Sequence, residues 1–186
     1  MTTWRLPLLS LTLLLIFTKM IASLIVFAAV FIDSHEVTIS PFNFCSKVQD
    51  AKILSCQALP WTTVIGASET TMIISTIAVI LCLYVPLVLV PFALLSSLLS
   101  AYGEGDIRVL QLSMGCQAAS SALTLLGLVW FVGLHWAYAS PSAMTLCYYS
   151  CVLATAELTI TTYLSSLLLR KPITNREDKC WKKHKP

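Results

Sequence analysis

Apolar residues in this chain gather in four long runs rather than alternating with polar ones. The runs cover about 6–32, 70–101, 109–135 and 143–169, and each holds few or no charges. A helix rises 1.5 Å per residue, so a hydrocarbon layer about 30 Å thick is crossed by about 20 residues. Every run meets that length. Between the first two lies 33–68, where Val37, Ile39, Phe42 and Phe44 are spaced two apart within each pair and Pro41 interrupts them, the mark of short extended pieces. The expected fold is all-α, a four-helix transmembrane bundle with an outer loop at 33–68 and a tail at 170–186. A backbone facing lipid must satisfy its hydrogen bonds within each helix, and a membrane barrel would instead show short alternating strands.

Composition narrows the function classes. Hydrophobic residues make up 57% of the 186 and charged ones 11%, against about 25% charged in soluble domains. An ordinary cytosolic enzyme, a disordered tail and a nucleic-acid-binding domain are excluded. The first run resembles a cleavable leader over its first half, with Arg5 ahead of an apolar stretch from Leu8 to Phe17. Beyond Lys19, however, Met20 to Ile32 is apolar again, so an uncleaved span is expected. The second run carries Pro86 and Pro91, which remove helix hydrogen bonds and bend the span.

Charge sets the orientation. Of the twelve Lys and Arg residues, seven lie in the tail: Arg170, Lys171, Arg176, Lys179, Lys182, Lys183 and Lys185. With four spans, Arg5 and Arg108 fall on the same side, and only Lys47 and Lys52 fall opposite. Positive residues mark the cytoplasmic face, so both termini are expected there. The tail then lies against anionic lipid, each basic side chain gaining about 1 kcal/mol near the surface. Trp4, Trp61, Trp136 and Tyr138 fall near the expected interfaces, where amphipathic rings anchor.

The outer loop holds Cys45 and Cys56, ten residues apart. A loop maturing in an oxidising compartment turns such a pair into a disulfide, and a loop of this size gains about 3 kcal/mol in the chain-entropy account. A metal site is not expected, because His35 is the only other good ligand and the spacing fits no zinc pattern. Cys82, Cys116, Cys147 and Cys151 lie within spans as small apolar residues. Cys180 sits among the tail lysines, where reversible palmitoylation is an option.

Four spans with cytoplasmic termini, a larger first outer loop with one cysteine pair and a short second one resemble the claudin and peripheral-myelin-protein superfamily. Its signature is Gly-Leu-Trp, two residues, Cys, about ten residues, Cys. Here Pro41-Phe42-Asn43-Phe44-Cys45 keeps an aromatic before the first cysteine, but Gly-Leu-Trp is missing. The string from Phe42-Asn43-Phe44-Cys45 to Leu54-Ser55-Cys56-Gln57 is more similar to the transmembrane protein 140 family, of which little function is known. Claudins make cell contacts through a longer second loop; that of this chain, Trp136 to Ser142, is short and uncharged. The resemblance therefore implies the layout rather than a tight-junction role.

Two charges fall inside the spans: Lys19 in the first and Glu157 in the fourth. An intramembrane charge costs at least about 2.5–3.5 kcal/mol on insertion scales and faces a partner. The two are opposite in sign and similar in depth, so an ion pair within the bundle is the first expectation. A polar path for ions, a protonated and hydrogen-bonded Glu157, which burial would favour, or a contact in trans with another membrane protein are the alternatives. Hydroxyl and amide residues recur at helical spacing on the third and fourth spans, notably Gln117, Ser120 and Thr161. They predict a polar bundle face whose bonds hold the helices together.

His35, His135 and His184 are scattered, and no serine–histidine–acid set or phosphate loop can be assembled. No enzyme activity and no cofactor are expected. The expected function is a non-catalytic multi-pass membrane protein, an accessory or regulatory partner of another membrane protein. A small oligomeric channel or transporter is the alternative, as is a claudin-type contact or barrier protein. Partners are thus membrane lipids and a membrane protein or a second copy, not nucleic acid.

Overall fold

The structure, a computed structural model, describes residues 5–26, 29–47, 54–58, 69–102 and 107–183. Helix α1 (Arg5–Ile21) runs into a single π-helical turn, Ala22–Val26. Four strands follow: β1 (Ile32–Asp33), β2 (Val37–Ile39), β3 (Asn43–Lys47) and β4 (Leu54–Ala58). Three longer helices complete the chain, α2 (Glu69–Tyr102), α3 (Ile107–Leu134) and α4 (Leu146–Lys183).

Among the described residues, three helical stretches are long and apolar enough to cross a membrane: Pro7–Val26, Ile73–Ser100 and Arg108–Leu134. Most of the run at 143–169 lies within α4 but is less apolar, because Glu157 and the threonines at 155, 159, 161 and 162 occupy its centre. Pro86 and Pro91 both sit inside α2 without ending it, as packing against neighbouring helices allows. Helix α2 packs along α3 and α3 along α4, while α1 touches both α2 and α4. The α2–α3 approach is tight at Gly127, where a Cβ would lie 3.0 Å from the Cβ of Cys82 and 3.1 Å from Cγ of Leu83.

Between the helices lies an apolar core. Leu13, Ile16 and Met20 of α1 meet Leu83 and Val90 of α2, Phe131 of α3 and Leu158 of α4, all buried. The outer helix faces are as apolar as the inner ones: Leu8, Leu15, Leu81, Val88, Leu125 and Ile160 are each about half exposed. A soluble protein does not show apolar surface on this scale; helices immersed in lipid do.

The first span was expected to stay helical to Ile32, and here the structure corrects the sequence reading. The helix ends at Val26, and Ile32 already belongs to β1. The last carbonyls of a helix lack intrahelical partners; a side chain of α2 supplies one here, and past the helix end a residue just ahead of α4 holds the chain that follows. The Tyr84 hydroxyl donates to Leu24 O at 2.9 Å, and the Thr145 hydroxyl donates to Val30 O. The chain turns away through Ala29, which is left-handed at φ 51° where glycine is the usual residue.

The strands form one antiparallel sheet in the order β1-β2-β3-β4. Pro41 falls in the turn between β2 and β3, where it interrupts no ladder. The fourth helix begins at Leu146 rather than at 143, because the preceding residues are claimed by the sheet. Asp33 N donates to Ala143 O at 2.8 Å, Thr145 N donates to Phe31 O at 3.0 Å, and Ile32 bridges Met144. At its other end α4 continues without a break past 169 to Lys183.

Candidate functional site

Polar groups carry whatever chemistry such an apolar chain has, and the structure sorts them into three levels. At mid-span, Lys19 on α1 donates from Nζ to Oε1 of Glu157 on α4 at 2.5 Å. The pair is not sealed inside the helices. Its side chains are 38% and 32% exposed on the α1–α4 seam.

Toward the chain termini, hydroxyl and amide groups link helix to helix. Ser10 and Ser97 share a hydrogen bond of 2.7 Å between α1 and α2. The Ser113 hydroxyl donates to Ala93 O at 2.7 Å, joining α3 to α2. Gln117, fully buried, donates from Nε2 to Ser113 Oγ at 3.1 Å and accepts at Oε1 from Ser165 on α4 at 3.4 Å. Ser120 and Thr161 are buried on the same faces but spend their hydroxyls on their own helices, on Cys116 O and Glu157 O. Nearer the surface, Ser121 and Thr159 join α3 to α4 at 2.7 Å. Sequence reading missed Ser10 and Ser97. Their signal is a serine in a leucine-rich helix and the Ser96-Ser97 pair in another.

At the opposite end the sheet is fastened to the helices by aromatic rings. Phe31 packs edge-on against Phe131 at 5.1 Å and Tyr148 at 5.8 Å; Phe42 meets Tyr84 at 5.0 Å, and Phe44 meets Tyr138 at 6.1 Å. Cys45 and Cys56 face each other in the β3–β4 register and form a disulfide. Lys47 donates to Asp33 Oδ1 at 2.6 Å, and the Thr38 hydroxyl donates to the same oxygen at 2.9 Å. The bonds from Lys47 and Thr38 hold the Asp33 carboxyl below the usual carboxylate range. Beside this pair lies an open polar cleft of about 390 Å³ between the sheet and the turn after α3, lined by Asp33, His35, Lys47, Ser140 and Ser142.

No cluster of three or more His, Cys, Asp or Glu side chains suited to a metal ion occurs among the described residues. Cys151 is buried, and Cys82, Cys116 and Cys147 are half-buried. Arg170, Lys171, Arg176, Lys179, Cys180, Lys182 and Lys183 lie along the helical backbone at the end of α4. Lys185, Lys52, Trp4 and Trp61 fall outside the described residues.

Three long apolar helices, lipid-like outer faces and polar groups bonded between helices define an integral membrane protein. Within that class, the model of the TM140 protein family matches residues 2–183, and the chain belongs to this family. No curated protein is found to match it.

Proposed function

We propose that the chain crosses the membrane four times with both termini cytoplasmic, and acts as a non-catalytic accessory partner of another membrane protein, which it engages through its outer sheet. The observation that carries the reading is the mounting of that sheet. Four aromatic contacts and two backbone hydrogen bonds hold it over the helix ends, and a disulfide pins β3 to β4 within it. Such a surface is preorganised for binding, which lowers the ordering cost of association. The filled interior, with Leu13, Leu83 and Leu158 at 0% exposure, supports a binding role over a passage through a single chain.

Counting α4 as the fourth span rests on its packing against α1 and α3 and on its central polar groups, several of which bond to other helices or to its own backbone. The basic end of α4 then meets anionic lipid at the cytoplasmic surface. The disulfide-pinned sheet on the first outer loop is also what keeps the claudin and peripheral-myelin-protein likeness within this reading.

The test is purification of the tagged protein from its native membranes in mild detergent, with quantitative mass spectrometry, beside a variant carrying Lys47→Glu and His35→Glu. One membrane protein recovered in stoichiometric amount with the wild type, and lost with the cleft variant, is the expected result. Recovery of the chain alone, together with ion flux through reconstituted vesicles, would replace this reading with the channel one.

A further inference from the structure

An ion pair at mid-span is understandable inside a helix bundle, where low dielectric strengthens it and protein shields it from lipid. The Lys19–Glu157 pair has only half of that arrangement. It bridges α1 and α4, yet about a third of each side chain remains uncovered. The residues above and below it on the two helices, Leu11, Leu15, Leu153, Ile160 and Leu164, are 49% exposed or more. The seam is thus an apolar strip with a charged centre. Charged side chains within a membrane face protein or a water-filled cavity, not hydrocarbon.

The pattern of charge says what covers it. One positive and one negative group stand side by side at one depth, 2.5 Å apart. A twofold axis along the membrane normal, running just outside the seam, sets Lys19 of one copy opposite Glu157 of the other, and the reverse. Such an isologous contact needs one patch to complement itself. Here it closes a square of alternating charges in which each group has two opposite neighbours. The leucines and isoleucine flanking the pair meet their counterparts across the same axis.

We propose that the α1–α4 seam is a homodimer interface, occupied by a second copy of this chain through reciprocal Lys19–Glu157 contacts. This rests on reading all four helices as spans, and it leaves the outer sheet free for a different protein.

The experiment uses the full chain in native-like bilayers, with a photo-crosslinking amino acid in place of Leu15, Ile160 or, on the α2 face, Val88. Tags on the two termini are probed for sidedness in the same preparation. The expected result is a cross-linked species of twice the chain mass from positions 15 and 160 and not from 88, with both tags cytoplasmic. Lys19→Gln or Glu157→Gln should lower the dimer association constant about tenfold, the size of one or two lost interhelical bonds. The exchange Lys19→Glu with Glu157→Lys should restore it. Correct sidedness with a monomer from all three positions, with equal cross-linking at 88, or with cross-links only to a different protein would overturn the interface. Tags on opposite faces would overturn the four-span reading, and with it the shared depth on which the interface is built.

Discussion

Removing Lys19 and Glu157 singly and together separates what the pair does for the fold from what it does for assembly. The proposed perturbations are Lys19→Met, Glu157→Leu and the double variant. Either single change leaves one charge at mid-span without its partner 2.5 Å away. A lone central charge costs about 2.5–3.5 kcal/mol on insertion scales, and breaking a fully buried pair costs about 3–5 kcal/mol. Because 38% and 32% of the two side chains are uncovered, the survivor can turn outward and find headgroups or water. Each single variant should therefore lose about 2 kcal/mol, below both of those ranges.

The double variant removes both charges and both desolvation costs. Methionine and leucine fill similar volume, so its stability should lie within about 1 kcal/mol of the wild type. The resulting coupling of about 3–4 kcal/mol sits at or just above the top of the range for groups in direct contact. Reversible unfolding in mixed micelles by dodecyl sulfate, followed by circular dichroism at fixed protein concentration, measures all four corners of the cycle. A double variant that loses about 4 kcal/mol, the sum of the singles, would refute the reasoning, because the charges would then act independently. A stable double variant that no longer dimerises would show that the pair serves assembly more than folding.

Three further outcomes follow from other parts of the structure. Gly127→Leu forces a side chain into the 3.0 Å approach to Cys82 and should cost about 2–3 kcal/mol in the same assay. Leucine at Gly115 or Gly133, where nothing lies within 4 Å of an added Cβ, should change stability by no more than about 0.5 kcal/mol. Replacing Cys45 and Cys56 by serine should cost the sheet about 3 kcal/mol, seen as rapid protease cleavage of the outer loop with helical dichroism unchanged. The Asp33 carboxyl has a lowered pKa through Lys47 and Thr38, so its contribution is present above its unfolded value near pH 4 and lost as pH falls through the lower folded value. Amide exchange in β1 and β2 should speed up over that interval, and Asp33→Asn should remove the dependence. The effect is under about 1 kcal/mol because the pair is largely exposed.

The helices are legible in the sequence because one requirement dominates there: about 20 apolar residues must be contiguous to cross lipid. Their outer ends are not. Phe31 and Ile32 are fully buried, and burial demands the same apolar residues of a strand packed on helix ends as of a helix core. An apolar run therefore cannot announce that its backbone turns at Ala29. Ala143 and Met144 were hidden for the same reason, since their roles are backbone bonds to Asp33 and Ile32 that no side chain signals. The extended pieces near Cys45 are visible in the spacing of Val37, Ile39, Phe42 and Phe44, but a sheet of four strands is not, because β1 is too short to show alternation. Among the polar residues, Gln117 stands out because an amide in an apolar helix requires partners. Ser10 and Ser97 do not, since a helical hydroxyl can always turn back onto its own backbone.

How the helices are tied together bears on why the charges lie where they do. The end near the termini is secured by bonds running α1 to α2, α2 to α3 and α3 to α4, through Ser10–Ser97, Ser113–Ala93 and Gln117–Ser165. The opposite end is secured by the sheet, the Tyr84 and Thr145 hydroxyls and the ring contacts of Phe31. The α1–α4 contact at mid-span depends on an ion pair, and apolar side chains of equal volume would close that contact at least as well. On the four-span reading the exposed part of this pair would face hydrocarbon, and a charge pair that the fold can do without is better explained there by a contact outside the chain than by one within it. The pair's reciprocal geometry makes a second copy the partner that satisfies both charges at once.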